Sequence, residues 1–116
     1  MAYDEDLADR IRELLSGVAC SEQRMFGGLA FLVGGNMAVA ASGQGGLMVR
    51  SDPERGQALV AQGAAEPMVM RGKEMTGWLR ISADRLRTKR ELKRWVDHGV
   101  AYAAGLPPKA AKAKSR

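Results

Sequence analysis

One cysteine and one histidine occur among the 116 residues, and the aromatic side chains amount to two Phe, two Trp and two Tyr. A lone Cys20 excludes an intramolecular disulfide and suits a reducing compartment. His98 lies 78 positions from Cys20, and no recognised local motif surrounds either, so a Cys–His nucleophilic pair finds little support. No apolar run approaches the roughly 20 residues of a membrane-spanning helix; Leu29–Val33 is five residues long. The chain opens on Asp4, Glu5 and Asp6 rather than on a basic segment followed by an apolar one, which argues against a secretory signal. A soluble, cytoplasmic protein without a membrane partner is expected.

Other signatures are missing too. His, Cys, Asp and Glu do not cluster at metal-ligand spacing, and the acidic residues group only in the first helix, where the helix dipole explains them. Neither the Walker spacing nor the dinucleotide fingerprint occurs, although half of the 14 glycines fall between residues 27 and 46. Their expected use is in hairpin turns. No catalytic, cofactor-binding or metal-binding residue is assigned, and the protein is not expected to be an enzyme.

What is present is a single domain's length and a marked charge asymmetry. Residues 1–70 carry a net charge of −4 and residues 71–116 one of +9, giving +5 in all. Such a basic C-terminal third can form a surface for nucleic acid or an acidic partner. The alternative is a solvated face plus a solubilising tail.

Periodicity places the elements. Leu7, Ile11, Leu14, Leu15 and Val18 recur at steps of three and four, predicting a helix over about 4–16. A strand is expected over Met25–Val33, then a tight turn at Gly34-Gly35-Asn36, a strand over Met37–Ala41, a turn at Ser42–Gly45 and a strand over Gly46–Arg50. Two short turns in succession imply an antiparallel meander. Ser51 or Asp52 caps a second helix that has Pro53 in its first turn and ends near Gly63. Glu66–Met70 and Gly77–Ile81 read as two more strands around Gly72. A capping box at Thr88 and Glu91 opens the last helix, with Leu92, Trp95, Val96, Gly99, Val100 and Ala103 as its apolar stripe and His98 at the stripe's edge. His98 is accordingly expected to be partly buried and structural. The order α-β-β-β-α-β-β-α predicts an α+β fold, an antiparallel sheet with helices mainly on one face. Residues 1–106 form the expected domain, and 107–116 a basic, disordered tail.

The segments Arg24–Phe31, Gly35–Ala38, Gly46–Arg50, Glu66–Met68 and Gly77–Arg80, together with the helix around Leu92, Trp95 and Val96, resemble the N-terminal domain of the TfoX/Sxy family. The resemblance covers residues 4 to about 108. It implies a two-layer, secretion-chaperone-like α+β domain, and a role like that of competence regulators, which act on transcription with a protein partner. Those regulators carry a second, helical domain, so a stand-alone N-terminal domain is expected here. Homodimerisation is plausible, because the resembling folds often pair.

Arg85, Arg87, Lys89, Arg90, Lys93 and Arg94 gather around the start of the last helix, where cations oppose the dipole. They are the candidate anion- or partner-binding residues; the alternative is that they extend to solvent. No aromatic residue is interleaved with them in the manner of single-strand binders. Six methionines besides Met1 lie between residues 25 and 75. Their expected place is the core between sheet and helices or a buried dimer face, and the alternative is an adaptable binding surface. The expected function is therefore a non-enzymatic regulatory or interaction domain working by protein–protein contact. The alternative is a sequence-nonspecific nucleic-acid binder using the basic helix and tail.

Overall fold

The structure, a computed structural model, describes residues 3–25, 27–70 and 72–107; the side chain of Met70 and most of the expected tail lie outside that description. The elements are α1 (Glu5–Leu14), β1 (Ser21–Met25), β2 (Gly28–Val33), β3 (Asn36–Ala41), β4 (Leu47–Arg50), α2 (Pro53–Ala61), β5 (Glu66–Met70), β6 (Lys73–Ile81), a short 3₁₀ turn (Ala83–Arg85) and α3 (Lys89–Ala104).

Each helix starts where a side chain accepts from its free first-turn N–H groups. Asp4 Oδ1 accepts from the amides of Asp6 and Leu7 at 3.0 and 3.1 Å. Asp52 Oδ2 accepts from the Arg55 amide at 3.1 Å, with Pro53 in the first turn. The capping box at Thr88 and Glu91 is complete, and Gly105 ends α3.

The six strands form one antiparallel sheet in the order β1-β2-β3-β4-β6-β5. The α+β architecture and the succession of helices and strands are as expected, with one strand more in the first group. The segment Met25–Val33 is not a single strand: the chain reverses around Gly27, at φ 76°, and β1 pairs back along β2 with Met25 opposite Gly28. Phe26, counted in the expected strand, lies outside the described residues. The residues of β1 are polar on both faces and exposed up to Met25, so they carry no alternation to read. For the same reason β6 begins at Lys73 rather than at Gly77: its first four residues are exposed.

All three helices pack on one face of the sheet. Leu7, Ile11 and Leu15 of the α1 region, Leu59 of α2, and Leu92, Trp95 and Val96 of α3 meet Leu29, Phe31, Val39, Leu47, Val49, Leu79 and Ile81 of the strands. Gly99 brings α3 against β3: a Cβ there would lie 2.8 Å from Val39 Cγ1 and closer still to the Ala38 carbonyl. Among the described residues no methionine belongs to this core. That corrects the expectation that methionines fill the space between sheet and helices. No helix among the described residues is long and apolar enough to cross a membrane.

Candidate functional site

Because side chains alternate across a strand, the sheet has a second face, and it too is apolar. Ala30, Ala40, Met48 and Met68 lie buried at its centre, with Met25, Leu32, Met37 and Trp78 half-buried around them. Cross-strand register assembles this cluster: Ala30 opposes Ala40, and Ala40 opposes Met48. Every member is a strand residue, and among the described residues no helical side chain joins them. Two arginines stand in register with it, Arg80 between Met48 and Glu66, and Arg50 opposite Trp78. The Arg50 guanidinium lies 5.6 Å from the Trp78 ring centre and 5.9 Å from that of Tyr102, within cation–π range of both. Among the described residues the ion pairs are Arg12 with Asp9 and Glu22, and Lys93 with Asp97, so neither Arg50 nor Arg80 has a carboxylate partner. Arg80 makes only long contacts, 3.5 Å to Ser42 Oγ and 3.5 Å to the Gln44 carbonyl.

The six basic residues singled out in the sequence, all exposed, differ in their contacts. Arg85 donates from Nη1 to the carbonyls of Gly63 and Ala64, both at 2.7 Å, and so holds the chain leaving α2. Lys93 pairs with Asp97 at 2.6 Å, and Arg94 lies 4.5 Å over the ring of the buried Trp95. Arg87, Lys89 and Arg90 remain exposed beside the Thr88 cap. Glu91 Oε1 accepts from the Thr88 amide at 3.1 Å and from its hydroxyl at 3.2 Å, which places a carboxylate at this helix start and offsets the unfavourable cations. Arg10 of α1 adds a further donor, Nη2 to the Leu86 carbonyl at 2.7 Å.

One polar pair escaped the sequence reading. His98 Nε2 and Ser51 Oγ are 2.9 Å apart, and Ser51 is fully buried. The cap of α2 is Asp52, which leaves Ser51 for this contact; the available signal was the second capping candidate at this helix start. Burial first, then Arg55 and Arg94, hold the His98 imidazole below its ordinary pKa. With the serine oxygen sealed from solvent, this pair ties α3 to the start of α2. Cys20 is exposed, and the partial desolvation it does undergo, with Glu22 nearby, pushes its thiol up rather than toward a reactive thiolate. Among the described residues no three His, Cys, Asp or Glu side chains gather as metal ligands.

Residues 13–103 match the family model of the TfoX N-terminal domain. The chain belongs to that family. A search of the curated proteins finds no significant match. In this TfoX N-terminal domain the strands carry most of the segments on which the resemblance rests and α3 the remainder, so the same stretches build both faces of the sheet. A cleft of about 210 Å³ lies between α2 and the β5–β6 hairpin, lined by Pro53, Gly56, Val60, Met75, Trp78 and Leu79 among others.

Proposed function

We propose that this domain is a non-enzymatic regulatory or interaction module that works by protein–protein contact through the open face of its sheet. Family membership supports a competence-related, transcription-regulating setting. The observation that carries the reading is the apolar cluster of Ala30, Leu32, Met37, Met48, Met68 and Trp78 on the face that no helix among the described residues covers. Methionine suits such a surface, since its unbranched, polarisable side chain adapts to a partner. A photo-crosslinking residue at Leu32, compared in cells with one at the exposed Ala101 of α3, tests it. A discrete protein adduct from position 32 and none from position 101 is expected; absence of an adduct at 32, or equal labelling at both, counts against the reading.

A second reading, sequence-nonspecific nucleic-acid binding, rests on Arg87, Lys89 and Arg90, which are exposed and without a carboxylate partner among the described residues. It predicts DNA or RNA affinity that falls steeply with salt and is lost when these three are replaced by Ala. No binding at low salt removes it.

A further inference from the structure

We infer that the open face receives an amphipathic helix of a partner protein, its apolar side in the methionine cluster and its carboxylates against Arg50 and Arg80. This rests on the contact reading above and specifies the occupant. Three observations select it.

First, the cluster centres on interior strands, with Met25 and Met68 joining from the edge strands β1 and β5. β2, β3, β4 and β6 each have a hydrogen-bonded neighbour on both sides, so the face offers no free backbone N–H or C=O. An occupant must satisfy its own backbone, as a helix does and an extended segment does not. The opposite face of the same sheet is closed in that way, by three helices. Addition of a strand at an edge is disfavoured on both sides. Edge strand β1 is charged, with Glu22 tied to Arg12 by contacts of 2.6 and 3.0 Å, and edge strand β5 carries Pro67 and a register shift.

Second, the charge on the face has one sign in excess. Arg50 and Arg80 stand in register with the cluster, with Glu66 opposite Arg80. Arg50, at the end of β4, lies within cation–π range of Trp78 and of Tyr102 of α3 and has no carboxylate partner among the described residues, which leaves its fork of N–H donors available for bidentate pairing. A partner that presents Asp or Glu beside an apolar stripe is complementary to this arrangement.

Third, a second copy is a poor match. Face-to-face packing of two sheets would bring two Arg50 and two Arg80 side chains into one interface against two Glu66, and like charges brought together disfavour association.

A display library of helical peptides about four turns long tests this. Apolar residues are fixed at i, i+3, i+4 and i+7, and the flanking positions vary among Glu, Gln and Lys. Enrichment of Glu-flanked peptides on the full chain is expected. The enriched peptide, added to protein with ¹³C-methyl methionine, should shift Met25, Met37, Met48 and Met68. Its affinity should fall about tenfold in Arg50→Gln at low salt. Arg80→Gln should act in the same direction while circular dichroism shows the fold intact. Enrichment indifferent to flank charge, no enrichment, or shifts confined to other residues overturns the inference. So does sedimentation showing a dimer whose formation shifts the same methyl groups. In each of these cases a crosslink from position 32 leaves the broader contact reading standing, and its absence removes both.

Discussion

The imidazole Nε2 of His98 sits 2.9 Å from Ser51 Oγ, tying α3 to the corner between β4 and α2. The Ser51 amide also donates to the Gly77 carbonyl of β6 at 2.8 Å, and its hydroxyl donates to the Asp52 carbonyl at 3.0 Å. With the hydroxyl proton so directed, the serine oxygen is placed to accept from Nε2 in the tautomer that carries its hydrogen there.

Stability should depend on pH through this residue. The folded state holds His98 below its ordinary pKa, so the unfolded chain takes up the proton first as pH falls. The contribution is complete above about pH 6.5 and is lost as pH drops from there through the folded value. Urea midpoints measured from about pH 7.5 down to about pH 5.5 should decline in the natural chain. The decline should flatten in His98→Gln, which keeps a donor and removes the titration.

Gly99→Ala should destabilise the domain. The added methyl meets Val39 Cγ1 and the Ala38 carbonyl, forcing α3 off β3. Overpacking of this kind costs about 1–3 kcal/mol, more than the roughly 1 kcal/mol that Ala gains over Gly inside a helix. Chemical denaturation of the variant checks the sign.

The basic residues should separate by role. Arg85→Ala removes two hydrogen bonds to the chain leaving α2 and should cost about 0.5–1.5 kcal/mol. Arg87→Ala and Arg90→Ala, at exposed positions, should stay within about 0.5 kcal/mol of the parent. Thermal melts of the three variants side by side suffice.

Peroxide should oxidise the methionines in order of exposure. Among the methionines whose side chains are described, Met75, 38% exposed, goes first, then the half-buried Met25 and Met37, and last Met48 and Met68 at 8% and 6%. Because the described helix-side core holds no methionine, the early steps should leave the far-ultraviolet circular dichroism unchanged. Peptide mass spectrometry over a time course gives the order.

Local chemistry was legible in the sequence wherever its cause was local. Thr88 and Glu91, three positions apart, announce the start of α3, and Gly34-Gly35, at φ 62° and 80°, make the turn between β2 and β3. Polar strands were not legible: Ser21–Arg24 are held by pairing with β2 and have no apolar side to show.

The candidate site was less legible, because its cause is tertiary. Alternation sends Met48 and Val49 to opposite faces, yet both faces are apolar, and nothing in the pattern says which one the helices cover. Arg85 reads as a surface cation until the fold brings Gly63 and Ala64, more than twenty residues earlier, into its reach. Ser51 and His98, 47 positions apart, meet only once α3 lies across the sheet.

The two tryptophans are divided between the layers. Trp95 is 3% exposed on the helix side, with His98 edge-on at 5.9 Å, whereas Trp78 is half-buried on the open face beside Arg50. The domain therefore has two fluorophores in separate environments. Emission from the first follows the helix-to-sheet junction and its imidazole, and emission from the second follows whatever settles on the exposed surface. Replacing one indole at a time with Phe turns a single optical measurement into separate readings of folding and of occupancy.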